Sequence, residues 1–259
     1  MEVLAVANHK GGVGKTVTAV NLAAAIAATG RRTLLVDMDA QGHATMWFVD
    51  DPGQVARDLQ DVLGHGVPME EAIQRTRVPG LDLLPATLAL ARLELDLVGM
   101  TRREDRLKRA LAAVADRYEI VVLDMAPSLS LVSVNGLAAA TGLLVPVTPT
   151  QLAVAALGTF MGWLEEFRRE GVVSAALYGI LVTMGDGRSR AQKDVLAALA
   201  DSSWPVFKTI IPKRVAVENQ VSERWTPGIP GERRGWTDVA DAYRALTKEV
   251  LRIIDRGGA

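Results

Sequence analysis

An apolar strand at 3–7 runs directly into the loop NHKGGVGKT at 8–16, and an alanine-rich helical stretch at 16–28 follows without a break. A glycine-rich turn between a strand and a helix lets successive backbone N–H groups point inward. The helix N-terminus adds its positive end, so the junction is suited to cradling phosphate. In that geometry Lys15 reaches the β- and γ-phosphates of a nucleotide, and the Thr16 hydroxyl meets Mg2+. The ordinary form of the loop has glycine five residues before Gly14. Here that position is His9, and a second lysine, Lys10, stands directly before Gly11 and Gly12. The spacing fits the deviant form of the Walker A loop, with Val13 and Val17 filling its remaining positions.

The rest of the chain alternates in a way that suits such a junction. Strands are expected at 3–7, 33–36, 81–85, 120–124, 143–147, 178–182 and 206–210, with helices at 16–28, 102–115, 153–169, 191–200 and 237–256. Near-continuous apolar strands separated by helices predict a mainly parallel sheet covered on both faces. The expected class is therefore α/β: a single P-loop NTPase domain over 1–259, with a twisted sheet flanked by helices on both faces. Thr101 followed by Glu104 has the capping-box spacing and predicts a helix start there. The stretch 223–235, rich in Pro, Gly and charge, reads as a loop before the final helix.

Composition removes several chemistries. The 259 residues include no cysteine, which excludes disulfides, iron–sulfur clusters, thiolate zinc sites and cysteine nucleophiles. His9, His43 and His65 lack metal-ligand spacing and read as surface or loop residues. Lys plus Arg number 29 against 30 Asp plus Glu, a net charge of −1, so no bulk field draws the chain to nucleic acid or membrane. Residues 125–164 carry no charge, but Pro127, Asn135, Pro146, Pro149 and Gln151 interrupt them, and a buried helix–strand–helix passage is expected rather than a membrane span. The start MEVLAVAN opens with an acid and has only a very short apolar run, so no signal peptide is expected there and a cytoplasmic protein is expected.

A phosphate loop of this kind needs carboxylates at neighbouring strand ends. IVVLD places Asp124 to hold the Mg2+ water shell, and LLVDMDAQ offers Asp37 and Asp39 as groups that orient an attacking water.

With these pieces together, KGGVGKT, VDMDAQG and VVLDMAPS resemble the ParA/MinD superfamily. PTQLAVAALG, LVTMGDGRSR and VFKTIIPKRVAV are similar to segments of its ParA-type (Soj-like) partition ATPases. The likeness covers nearly the whole chain and is nearest to short ParA proteins without an N-terminal helix-turn-helix domain. It implies ATP and Mg2+ as cofactors and Lys10 as the signature lysine that reaches the partner's phosphates across a nucleotide-sandwich dimer. Asp39 would then position or activate the hydrolytic water near the metal, and Asp124 would contact Mg2+ through water. Met184 and Pro212 would bracket the adenine. Three positions depart from the family pattern: Val17 lacks the usual hydroxyl, Ala40 replaces a proline, and Met125-Ala126 replaces a polar-proline pair.

The resemblance further implies self-association, non-specific double-stranded DNA and a ParB-like stimulating protein as partners, and a nucleoid-associated location. Arg244, Lys248, Arg252 and Arg256 recur at four-residue steps on the final helix. With Lys213 and Arg214 they form a candidate phosphate-tracking surface, against which Asp241, Glu249 and Asp255 would give an ordinary solvated face. The alternatives are a MinD-like membrane regulator, for which LRIIDRGGA offers few apolar anchors, and a metabolic synthetase or amidase. Iron–sulfur carriers lack their cysteines here, and a tyrosine-kinase tail would need more than Tyr243. Trp163 is expected in the core, and the tryptophans at large, Trp47 and Trp204 included, read as core or loop anchors, with a partner surface as the alternative for Trp225 and Trp236, which flank the Pro/Gly-rich loop.

Overall fold

The computed structural model describes residues 1–150, 153–187, 189–214 and 237–258. The strands are β1 (Glu2–Val6), β2 (Thr33–Met38), β3 (Gln74–Arg75), β4 (Leu81–Leu84), β5 (Ile120–Met125), β6 (Gly142–Val147), β7 (Ala176–Gly185) and β8 (Val206–Pro212). They form one sheet in the order β3-β4-β2-β5-β1-β6-β7-β8. Only the two-residue β3 is antiparallel, on β4 at one edge. Every residue of β2, β5 and β6 is buried, as a sheet covered on both faces requires.

The described α-helices are α1 (Lys15–Ala27), α2 (His43–Phe48), α3 (Met69–Ala72), α4 (Leu90–Val98), α5 (Arg106–Ala112), α6 (Leu131–Ala139), α7 (Ala153–Arg169), α8 (Arg190–Ala200) and α9 (Thr237–Asp255). Alternate strand residues face opposite layers. Val3 and Ala5, Leu34 and Val36, and Val121 and Leu123 pack beneath α4 to α8. Leu4 and Val6, Leu35, and Ile120 and Val122 pack beneath α1, α2 and α9. The uncharged passage is α6, β6 and α7, as its composition predicts. Gly136 lets α6 lie against the sheet: a Cβ there would come within 2.6 Å of Met125 and 2.8 Å of Met38.

One expected helix start is corrected. The helix at 102–115 begins only at Arg106, and the Thr101–Glu104 capping box does not form. Arg102 takes a left-handed φ of 52°, and the Glu104 carboxylate accepts from Arg103 Nε at 2.9 Å. The cap comes from another helix instead. The buried Asn135 of α6 accepts the Leu107 N–H at 3.2 Å and donates to the Arg103 carbonyl at 2.5 Å. Trp163 is half-buried against the core, Trp47 is fully buried, and the loop at 223–235 with Trp225 and Trp236 lies outside the described residues.

Candidate active site

The junction after β1 is held at each turn of its backbone. Gly12 and Gly14 take left-handed φ values of 72° and 81°, and a side chain at Gly11 or Gly12 would meet nothing within 4 Å. Gly11 and Gly12 are both exposed. Asn8 anchors the loop to β6, donating to the Pro146 carbonyl at 2.7 Å and accepting the Lys10 N–H at 3.0 Å. The Thr183 hydroxyl on β7 lies 2.9 Å from the Val13 carbonyl and 3.2 Å from that of Val147, tying the loop to two strands.

The charged groups converge at this end of the sheet because parallel strands deliver their C-terminal residues to one edge. Lys15 is buried and donates to the Lys10 carbonyl at 3.0 Å. Burial holds its ammonium below the usual lysine range, while Asp124 and Asp39 pull the other way. Asp124, near the end of β5, is fully buried, and among the described residues neither carboxylate oxygen has a hydrogen-bond partner. Burial pushes its pKa well up and the neighbouring Asp37 adds to this, while the Thr16 hydroxyl and the Lys15 ammonium oppose it.

The structure separates the two acids that the sequence leaves open. Asp37 is fully buried and accepts three hydrogen bonds: the Thr45 N–H and hydroxyl at 2.8 Å each, and the Asp39 N–H at 3.1 Å. Burial nevertheless lifts its pKa to about 6. It fixes the turn into α2. Asp39 is half-buried, accepts only the Gln41 N–H at 3.0 Å, and lines an open cleft with Ala40, Glu94 and Ser128.

A second cleft, of about 360 Å3 including its open mouth, adjoins the loop and is lined by Gly14, Val17, Met184, Pro212, Lys213 and Arg214, among others. Met184 carries a left-handed φ of 54°, an uncommon conformation for a side-chain-bearing residue. Lys213 and Arg214, expected on the basic surface, are exposed but also border this cleft, and Arg214 pairs with Asp238. Tyr243 of α9 forms the cleft's buried floor, its hydroxyl 3.5 Å from that of Thr18. Arg244 pairs with Asp241, whereas Lys248, Arg252 and Arg256 are exposed and have no ion pair among the described residues.

Sequence reasoning did not single out Asn8, Thr45, Thr183, Tyr243 or the surroundings of His9. The His9 ring is half-buried rather than at the surface. It stacks on Phe160 at 5.9 Å and meets Trp163 edge-on at 5.1 Å. Burial, then the charges of Lys15 and Lys10, hold its pKa below the usual histidine value. Among the described residues no group of three or more His, Asp or Glu side chains could hold a metal ion alone.

Comparison with known proteins agrees with this geometry. The AAA domain family matches residues 1–175. The sporulation initiation inhibitor protein Soj of Bacillus subtilis is 35% identical over 255 residues, covering 96% of this chain and 98% of that protein. The chromosome-partitioning ATPase Soj of Thermus thermophilus is 39% identical, covering 96% and 94%. A crystal structure of a cobyrinic acid a,c-diamide synthase from Mycobacterium smegmatis, with bound ATP analogue and magnesium, superposes with a TM-score of 0.85 at 34% identity, covering 99% of this chain and 97% of that one. With its deviant phosphate loop, its strand-end acids and relatives of this identity along nearly its whole length, the chain belongs to the Soj/ParA family of P-loop ATPases.

Proposed function

We propose that the protein is a Mg-ATP-dependent, dimerising ATPase that binds non-specific double-stranded DNA in its ATP state. In this reading it positions DNA or another cargo until a ParB-like partner stimulates hydrolysis and release. The observation that carries the reading is the convergence of Lys10, Lys15, Asp39 and Asp124 on one loop at one sheet edge. The Soj relatives are named for chromosome partitioning and sporulation control, which gives the ATPase its proposed use. The location follows as cytoplasmic and nucleoid-associated.

The residues fit the cofactors. Two orphaned, buried carboxylate oxygens on Asp124 facing the Thr16 hydroxyl are what a hydrated divalent cation would satisfy. Thr16 would hold Mg2+ directly and Asp124 through water, with Asp39 at the edge of its shell; the ion supplies charge neutralisation on the phosphates. Loop residues Lys10 to Val17 would wrap the phosphates, and Met184 and Pro212 would bracket the base. Lys15 would meet phosphate charge from a buried position, where its attraction is strengthened. Asp39 orients the attacking water, and Lys10 reaches the phosphates of the second subunit. Phosphoryl transfer is catalysed chiefly by such positioning and charge stabilisation.

Binding to a non-sequence-specific duplex, measured with ATP and with ADP across a salt series, tests the function. ATP-only binding that weakens steeply with salt is expected, and Asp39→Ala should retain ATP while accumulating as a DNA-binding dimer. An Asp39→Ala protein that stays monomeric at saturating Mg-ATP would overturn the dimer cycle.

The likeness to a diamide synthase favours a metabolic reading on one count. Against it stand the Soj relatives, matched along nearly the whole chain and named for partitioning and sporulation control. A MinD-like membrane role is less well supported. Leu251, Ile253 and Ile254 of α9, the apolar residues available as anchors, pack against the core, and no described helix is long and apolar enough to cross a membrane.

A further inference from the structure

His9 stands where an ordinary phosphate loop has glycine, and it brings to the loop a ring that the rest of the site does not use. That ring lies nearly parallel to Phe160, with an interplanar angle of 20°, and edge-on to Trp163 at 75°; both partners come from α7. Its Nδ1 is buried and has no hydrogen-bond partner among the described residues, and the two aromatic contacts are what hold the ring. Lys10 follows immediately. Its N–H is fixed by Asn8, its carbonyl by Lys15, and its Nζ reaches the Thr150 hydroxyl at 3.3 Å, just before α7 begins.

We infer that His9 is a positioning residue: a strut between the phosphate loop and α7 that aims Lys10. Lysine has four rotatable side-chain bonds, and a lysine that must act across a subunit boundary loses rate whenever its backbone is free to turn. Asn8 and Lys15 fix the two backbone polar groups of Lys10, but both lie along the loop itself or at its junction with the sheet. The His9 ring adds the lateral contact, toward α7, that stops the loop from rolling about its own axis. The strut bears on the orientation of Lys10 and not on the phosphate cradle, because the cradle's N–H groups come from 11–16 and are held by Thr183 and the start of α1.

The inference rests on the reading of Lys10 as the hydrolytic lysine, and its test separates the two. Steady-state hydrolysis and the affinity for a fluorescent, non-hydrolysable ATP analogue are measured for the native protein, His9→Ala, His9→Phe and Lys10→Ala. His9→Ala should lose about 100-fold in kcat, with analogue affinity changed by less than about threefold. His9→Phe keeps a ring against Phe160 and Trp163 and should recover to within about threefold of the native kcat. A kcat for His9→Ala within about twofold of native overturns the strut, as does an equal loss in His9→Ala and His9→Phe. Native hydrolysis by Lys10→Ala would overturn the role of Lys10 itself. Loss in Lys10→Ala with a native rate in His9→Ala would overturn the strut alone. Should His9→Ala fail to fold, Trp163→Leu decides, since it leaves the loop intact: reduced kcat with unchanged affinity upholds the strut, and a native kcat overturns it.

Discussion

Both oxygens of Asp124 are buried without a hydrogen-bond partner among the described residues, an arrangement that costs a folded protein stability unless something else meets them. The same carboxylate is proposed to hold the Mg2+ water shell, so its unfavourable state belongs to the protein without nucleotide. Asp124→Asn relieves the buried charge and the repulsion from Asp37 but leaves an equally unpaired amide and takes a counter-charge from Lys15, so the Tm of that form should change little. The substitution should, however, remove most of the further stabilisation that Mg-ATP gives the native protein. Thermal unfolding with and without Mg-ATP checks both halves, and a lower Tm for nucleotide-free Asp124→Asn would show the carboxylate to be satisfied there. Asp37 and Asp39 show where sequence stops being informative at this scale. Two residues apart, one on β2 and the other just past its end, they carry the same chemistry. What separates them is Thr45, whose N–H and hydroxyl both turn to Asp37 and leave Asp39 to the cleft. Nothing in the spacing of VDMDAQGHAT announces that Thr45 folds back, so spacing alone holds both acids as candidates; the family resemblance points to Asp39, and the turn into α2 leaves Asp39 as the one that lines the cleft.

At the scale of elements, Asn135 joins two helices that otherwise meet only through side-chain packing. It accepts the Leu107 N–H and donates to the carbonyls of Arg103 and Leu131, all from a fully buried position. Asn135→Ala leaves buried polar groups unpaired on both helices and should cost about 3 kcal/mol. Chemical denaturation should show a lower midpoint with an unchanged slope, and hydrolysis per folded molecule should stay at the native rate. An unchanged midpoint would mean that the start of α5 needs no cap from α6. This contact explains why the capping box misleads. Thr101 and Glu104 satisfy the local pattern, but a cap from a helix distant in sequence outcompetes it, and local spacing carries no record of that partner. The strands were far more legible. β2, β5 and β6 read as uninterrupted apolar runs because both of their faces are buried, and they start within a residue of where the runs do. Helix α6 shows the converse: apolar on every side, it has no periodicity to mark its faces, and only the missing charge around it signals a buried helix. The two-residue β3, Gln74–Arg75, carries no strand signal at all.

For the molecule as a whole, a net charge of −1 means that attraction to DNA must come from how charge is distributed rather than from its sum. The acids that might neutralise the stripe on α9 are in large part committed elsewhere. Glu249 accepts the Lys208 and Thr209 N–H groups at 2.9 and 3.0 Å, closing the exposed edge of β8, and Asp255 pairs with Arg31 at 2.8 Å. Asp241 pairs with Arg244. Lys248 and Arg252 on α9, and Arg256 just past its end, thus remain exposed and without an ion pair among the described residues, while the opposite face of the helix, through Val239, Tyr243, Leu246 and Val250, is locked into the core. On the DNA-binding proposal these three residues supply phosphate contacts, while the already paired Arg244 supplies little. Replacing Lys248, Arg252 and Arg256 with alanine should leave ATP binding and folding intact and weaken duplex binding uniformly across sequences. The slope of log affinity against log salt should become shallower by roughly 0.9 for each phosphate contact removed. Arg244→Ala should leave that slope nearly unchanged. Fluorescence anisotropy of a labelled duplex, titrated with the ATP-bound protein over a range of potassium chloride concentrations, gives both slopes. An unchanged slope in the triple variant would move the DNA contact off α9 and onto another surface. A large change in Arg244→Ala would mean that its pairing with Asp241 opens when DNA binds.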